Sequence, residues 1–114
     1  MQPVAPLEFE GIVADALDAL PLELTGAFRN VVVTVEDEHP DEPDLLGLYE
    51  GVPLTERDTC AGPLPDRITL YRIPLCLLAE DLDDLADEVR VTVVHEFGHH
   101  VGIDDARLHD LGWA

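Results

Sequence analysis

Residues 93–113 of the chain read VVHEFGHHVGIDDARLHDLGW, and this stretch contains the pattern that indicates the fold. Around its start, apolar residues recur at spacings of three and four, at Leu82, Leu85, Val89, Val93 and Phe97. This spacing predicts one long amphipathic helix from about residue 81 to residue 101. Gly102 stands where a left-handed glycine would end a helix. The histidines of the stretch therefore fall on the last turns of the predicted helix.

Three residues of this predicted helix, His95, Glu96 and His99, form the pattern HExxH. Histidines at positions i and i+4 lie one turn apart on the same helix face, so both imidazoles can reach a single tetrahedral zinc ion. Glu96 is rotated by about 100° from His95, which places its carboxylate beside the metal and not on it. A carboxylate beside the metal is suited to act as general base toward the attacking water. The pattern predicts a hydrolytic zinc site with Glu96 as its catalytic residue.

A third metal ligand is predicted by elimination among the residues that follow the pattern. No glutamate occurs after Glu96, and Met1 is the only methionine, so ligand sets that need a downstream glutamate or a methionine turn are excluded. Asp105 lies six residues after His99 and beyond a glycine, where the chain can turn back toward the helix. Asp104 is the neighbouring alternative, and the offset favours Asp105.

The remainder of the sequence predicts a single small α+β domain over residues 1–114. Apolar residues at helical spacing predict an N-terminal helix from about Leu7 to Leu20. Three short apolar or alternating runs predict strands, and they are Val31–Val35, Leu45–Tyr49 and Arg67–Arg72. Pro74 is expected to end the third strand. We expect a mixed sheet of about three strands, packed against the N-terminal helix and the long helix that carries HExxH.

Charge and composition restrict the partners and the location. Acidic residues number 25 against 6 basic ones, all arginine, which gives a net charge of −19. Nucleic acids and anionic membranes are bound by basic patches, so this charge argues against both. No apolar run approaches the roughly 18 residues that span a bilayer, and the start MQPVAPLEFE lacks the features of a signal peptide. A cytoplasmic protein acting on a peptide or protein is expected.

The two cysteines, Cys60 and Cys76, lack the CxxC spacing of a metal or redox motif. A disulfide between them is one alternative, but cysteines of cytoplasmic proteins are usually reduced. Two small buried apolar side chains are therefore the favoured interpretation.

Several polar aromatic and histidine side chains are further candidates for the site. His109, Tyr49 and Tyr71 are candidates for stabilising the negative charge that develops on a substrate carbonyl. Packing in the core or in a strand is the favoured role for the two tyrosines. His100 points about 100° away from His99 on the helix, and His39 falls in an acidic loop, so neither is expected to bind the metal.

The sequence resembles the minimal zincin-like metallopeptidase family of bacteria, which are small single-domain proteins. The resemblance rests on LYEGVPLTER (48–57), LPDRITLYRIP (64–74) and the stretch 93–113. It implies a zincin-like α+β fold and a zinc ion held by His95, His99 and Asp105. It also implies that Glu96 is catalytic. The HExxHxxGxxD arrangement is similar, too, to that of snapalysin-type proteases, which are secreted.

The predicted function is zinc-dependent hydrolysis of peptide bonds, with one zinc ion per chain. The strand Arg67–Tyr71 is expected to form a sheet edge that pairs with an extended peptide. One alternative is a catalytically silent zinc module that binds a partner peptide. A second alternative is a metal-dependent endoribonuclease of the bacterial rRNA-maturation type. That family uses a third histidine and a basic cleft, and the net charge of −19 argues against it here.

Overall fold

The computed structural model describes residues 1–20, 31–51 and 66–100, and within the last helix it describes side chains as far as Gly98. These ranges contain three helices and three strands. In chain order they are α1 (Pro6–Asp18), β1 (Val31–Glu36), β2 (Gly47–Glu50), β3 (Asp66–Tyr71), α2 (Arg72–Leu78) and α3 (Leu82–His100). The predicted small α+β arrangement is confirmed for these residues. No helix among them is both long and apolar enough to cross a bilayer.

The three strands form a mixed sheet in the order β1-β3-β2. β1 runs parallel to β3, from the pair Val31–Asp66 onward, and β2 runs antiparallel to β3, with Gly47 opposite Leu70. β3 therefore has a hydrogen-bonded neighbour on each side. The prediction that Arg67–Tyr71 forms a sheet edge is wrong. Alternation of polar and apolar residues reports the two faces of a strand, whereas its position in the sheet depends on the order of the strands.

The core lies between one face of the sheet and the helices α1 and α3, which pack against each other. α3 also contacts β2 and β3. Three residues of the predicted apolar stripe of α3 are fully buried, and they are Leu85, Val89 and Val93. Leu82 belongs to the same stripe but is 48% exposed, because it is the first residue of the helix and lies beyond the core. The stripe fixes which side of α3 faces the sheet.

Helix α2 was not predicted from the sequence. Its seven residues, RIPLCLL, follow β3 directly, so that Pro74 is its third residue and does not end the strand. Proline is tolerated there because the N–H groups of a helix's first turn have no partner within the helix. Cys76 lies in α2 as a buried free thiol, as the favoured interpretation predicts, whereas Cys60 lies outside the described residues.

Gly47 allows β2 to approach the helix that carries HExxH. A Cβ atom on Gly47 would lie 2.7 Å from Cγ2 of Thr92 in α3 and 3.3 Å from the carbonyl oxygen of Thr69. Thr92 is itself buried, so it has little space to move away. We expect Gly47→Ala to lower the free energy of unfolding by about 1–3 kcal/mol, the usual effect of overpacking. Chemical denaturation of the purified variant measures it.

Two further variants control this prediction. Gly11 lies within α1, and a Cβ atom added to it would have no neighbour within 4 Å, so Gly11→Ala should stabilise the protein by up to about 1 kcal/mol. Thr92→Ser removes the methyl group that meets the new Cβ, so the double variant with Gly47→Ala should regain part of the lost stability. Equal stability of Gly47→Ala and the wild type would show that the two elements are not in tight contact.

Candidate metal centre

α3 continues as one helix from Leu82 to His100, so His95 and His99 both lie within it at positions i and i+4. Residues on either side of His95 and Glu96 hold this part of the helix against the core. Val93 and Val94 are at most 2% exposed, and Phe97 is 8% exposed. His95 and Glu96 are half-buried and thus lie at the border between the core and the surface. This is the position that a metal site open to substrate requires.

The ring of His95 suits a metal ligand. Its Nε2 atom is shielded from solvent, although the residue as a whole is half-buried. A neutral imidazole nitrogen is one of the donors that zinc prefers, and a shielded nitrogen loses no contact with bulk water when a metal binds. The donor chemistry of His95 therefore fits zinc.

The other predicted metal-site residues lie outside the described side chains. His99 is described as part of the helical backbone only, and Asp104, Asp105 and His109 fall in residues 101–114. Over the described part of the chain, no group of three or more histidine, cysteine, aspartate or glutamate side chains is placed to hold a metal. His95 is the one predicted ligand whose side chain belongs to that part.

Tyr49, a candidate for stabilising charge on the substrate, binds another strand through its hydroxyl group. The hydroxyl donates a hydrogen bond of 2.7 Å to Oδ2 of Asp66, which is 8% exposed. The bond joins β2 to β3 on the face that carries Ile68, because Tyr49 pairs with Ile68 and Asp66 lies two residues before it. The favoured packing role of Tyr49 agrees with this contact. No local sequence pattern indicates that Tyr49 bonds to Asp66, because the two residues are 17 positions apart.

Tyr71, the other tyrosine considered for stabilising charge on a substrate carbonyl, lies on the face of the sheet opposite to α3. Leu70 faces α3, because its side chain lies beside Gly47, and Gly47 is the residue that contacts Thr92 of α3. Successive residues of a strand point to opposite faces of the sheet. Tyr71 therefore points away from α3. Burial, the strongest cause, raises its pKa, and the carboxylates of Glu50 and Glu36 raise it further.

His39, which the sequence indicates only as a surface residue of the acidic loop, has a structural role beside Tyr71. Its Nδ1 atom accepts hydrogen bonds of 3.1 Å from the backbone N–H groups of Asp41 and Glu42. Its ring meets the ring of Tyr71 edge to face, with centroids 5.8 Å apart. The imidazole thus closes a turn after β1 and packs on the side of the sheet that lies away from α3.

Comparison with known proteins agrees with this fold. A solved structure, a conserved hypothetical protein from T. thermophilus, is similar over 85% of this chain and 94% of its own, with a TM-score of 0.54. The two share 24% sequence identity, so this likeness concerns the fold alone. Residues 28–113 match the family model described as zincin-like metallopeptidase, and the chain belongs to that family. No curated protein matches it.

Proposed function

We propose that this protein is a zinc-dependent peptidase in which His95, His99 and Asp105 hold one zinc ion. Glu96 is its general base. One observation carries the proposal: in a chain of the zincin-like metallopeptidase family, the HExxH residues lie on a single unbroken helix. Buried neighbours on both sides of His95 and Glu96 hold that helix against the core. Side chains held by a packed helix are oriented before the substrate binds, as a catalytic site requires.

The chain's own residues supply binding and proton transfer in the proposed reaction. When bound, zinc would activate a water molecule and polarise the carbonyl group of the substrate. The two imidazoles bind in their neutral form, and Asp105 contributes one negative charge. The carboxylate of Glu96 accepts a proton from the attacking water and then passes it to the nitrogen of the leaving amine. Glu96 ends each turnover as a carboxylate, ready for the next.

The substrate is proposed to bind as an extended peptide along β2. β3 is unavailable for this purpose because both of its edges are occupied. β2 contacts α3, and in the described part of the sheet only its side toward β3 is paired. An outer strand offers unpaired backbone groups to which a peptide can add as a further strand. The net charge of −19 favours peptides with basic side chains through electrostatic attraction.

The proposal is tested by digesting a peptide library with the zinc-loaded protein. Products identified by mass spectrometry should show new amino termini, and cleavage should stop on chelation and return when zinc is added. Zinc binding without cleavage of any peptide would support the silent zinc module instead. Binding and cleavage of RNA would support the ribonuclease, against the expectation from charge.

The third ligand can be assigned by comparing two neighbouring aspartates. Beyond Gly102 the chain has to leave the helix axis before a side chain can face the metal, and successive side chains then point in different directions. Only one carboxylate should reach the distance of about 2.0–2.2 Å that zinc requires. We expect Asp105→Ala to lose zinc and Asp104→Ala to retain it with a modest loss of affinity.

The measurement is the zinc dissociation constant of each variant, determined by competition with a chromophoric chelator. Asp104→Ala is the matched control, because it removes the same side chain one position earlier. A weaker affinity in Asp104→Ala than in Asp105→Ala would assign the third ligand to Asp104.

A further inference from the structure

Three exposed leucines lie close together in the sequence where α2 ends and α3 begins. Leu77, Leu78 and Leu82 are 64%, 51% and 48% exposed. The other large apolar side chains exposed in the described part of the chain, Leu7 and Val32, lie singly on α1 and β1. We name Leu77, Leu78 and Leu82 the leucine surface. Leu77 and Leu78 also line one groove. Exposed apolar side chains that lie together are typical of binding sites, whereas single ones are not.

A groove runs beside the leucine surface and gives it a shape that a ligand can enter. Its volume is about 370 Å³, and Leu77 and Leu78 form one side of it. The loop before β2 forms another side through Pro43, Asp44 and Leu46. Apolar side chains line most of this groove, so it is suited to receive apolar side chains from another molecule.

The composition of α2 explains why this surface is exposed. Every residue of the helix except Arg72 is apolar, although only Pro74, Leu75 and Cys76 are buried against the core. A helix that is apolar on all sides is typical of one that is covered on all sides. The leucines therefore lie on a side of α2 that the described part of the chain leaves exposed.

The charges around the leucine surface indicate which kind of molecule covers it. Asp44 lines the groove, and Glu80, Asp81 and Asp83 follow α2, all four exposed. Two positive groups are near α2, and both are already bonded. Arg72 is bonded to Asp37 at 2.9 Å and to the carbonyl oxygen of Val4 at 2.7 Å. The amino group of Met1 donates to the carbonyl oxygens of Cys76 and Ala79. A second copy of the chain would bring acidic rims together, which is unfavourable. A partner with basic residues around its apolar ones would be attracted instead.

We propose that the leucine surface and its groove are a docking site for a protein segment that carries apolar side chains flanked by lysine or arginine. Leu82, the part of the leucine surface that lies on α3, is far from the candidate metal centre. His95 lies thirteen positions after Leu82, which corresponds to about 20 Å along the axis of α3. The groove extends closer to the metal centre than Leu82 does, because Leu46 precedes Gly47, whose backbone lies against Thr92 of α3. Docking itself does not depend on the proposed function.

The test uses a synthetic 15-residue peptide with leucine at helical spacing and lysine on its flanks. Titration into isotopically labelled protein should shift the backbone amide signals of Leu77, Leu78 and Leu82, and binding should saturate. The double variant Leu77→Ser with Leu78→Ser is expected to weaken binding at least tenfold, since it removes apolar contacts and leaves the charge unchanged. Leu82→Ser provides a second, independent variant of the surface.

Matched controls separate docking from general attraction to an acidic protein. Leu7→Ser makes the same change at an exposed leucine of α1 and should leave the dissociation constant unchanged. A peptide with glutamate in place of lysine should not bind, and Asp44→Asn should weaken binding of the lysine peptide. The proposal is overturned if the serine variants bind the peptide as tightly as the wild type. It is also overturned if sedimentation shows a dimer that the same variants dissociate.

Discussion

Replacement of Glu96 by glutamine is expected to abolish peptide hydrolysis while leaving zinc content and thermal stability unchanged. An amide cannot accept the proton of the attacking water, and general base catalysis contributes roughly 10²- to 10⁴-fold to a rate. Glutamine has almost the same size and shape, so packing beside Phe97 on α3 is preserved. The measurement is kcat on a peptide that the wild type cleaves, with zinc content and the melting temperature determined for the same preparation.

Glu88→Gln is the matched control, because it makes the same change on the same helix, about two turns before Glu96. Burial, followed by the carboxylates of Asp84 and Asp87, raises the pKa of Glu88. When the pKa of a carboxyl group is higher in the folded state than in the unfolded state, stability falls as the pH rises above the unfolded-state pKa. The loss is complete above the folded-state pKa. Glu88→Gln should therefore keep full activity and equal or slightly higher stability at pH 7. Wild-type activity in Glu96→Gln would remove Glu96 from the catalytic role.

The elements that the sequence predicts best are those with a long repeating pattern. The stripe Leu85, Val89 and Val93 predicts the start of α3 to within a residue or two, because its spacing indicates which side of the helix meets the core. The predicted helix end at Gly102 lies outside the described residues. α1 is predicted nearly as closely, and it begins at Pro6 and ends at Asp18. In both helices the information is local, so the sequence alone contains it.

Features that depend on distant residues could not be predicted in the same way. α2 has seven residues, almost all apolar, so no period distinguishes helix from strand within it. β3 is central because β1 pairs with it, although β3 begins at Asp66, 35 positions after the start of β1 at Val31. The contact of Gly47 with Thr92 is likewise set by how a strand and a helix pack. Local sequence patterns do not indicate contacts between residues that are far apart in the chain.

The residues of the candidate site also differ in whether local sequence spacing determines their positions. His95, Glu96 and His99 can be placed from the sequence because a single helix fixes their spacing, and the helix extends through all three. The third ligand depends on the path of the chain after Gly102, which local spacing does not determine, so Asp105 stays a prediction. The sheet edge for the substrate was assigned wrongly from the sequence for the same reason, since strand order is a property of the whole fold.

Removal of zinc is expected to cause the largest change in stability. A ligand that binds only the folded state at a thousandfold excess over its dissociation constant stabilises that state by about 4 kcal/mol. In a domain of this size each kcal/mol changes the melting temperature by about 4–8 °C. Chelation should therefore lower the melting temperature by roughly 15–30 °C, and elemental analysis should find close to one zinc per chain beforehand.

His95→Ala should reproduce the effect of chelation without a chelator, because two remaining ligands hold zinc weakly. Chelation should then change the melting temperature of this variant little. His39→Ala is the control, since it removes a histidine that bonds to a surface turn and packs on the ring of Tyr71. That variant should keep its zinc, and chelation should lower its melting temperature as in the wild type. A wild-type protein that takes up no divalent ion on reconstitution and melts at the same temperature in chelator has no such metal centre, and His95 would then be an ordinary residue of the helix.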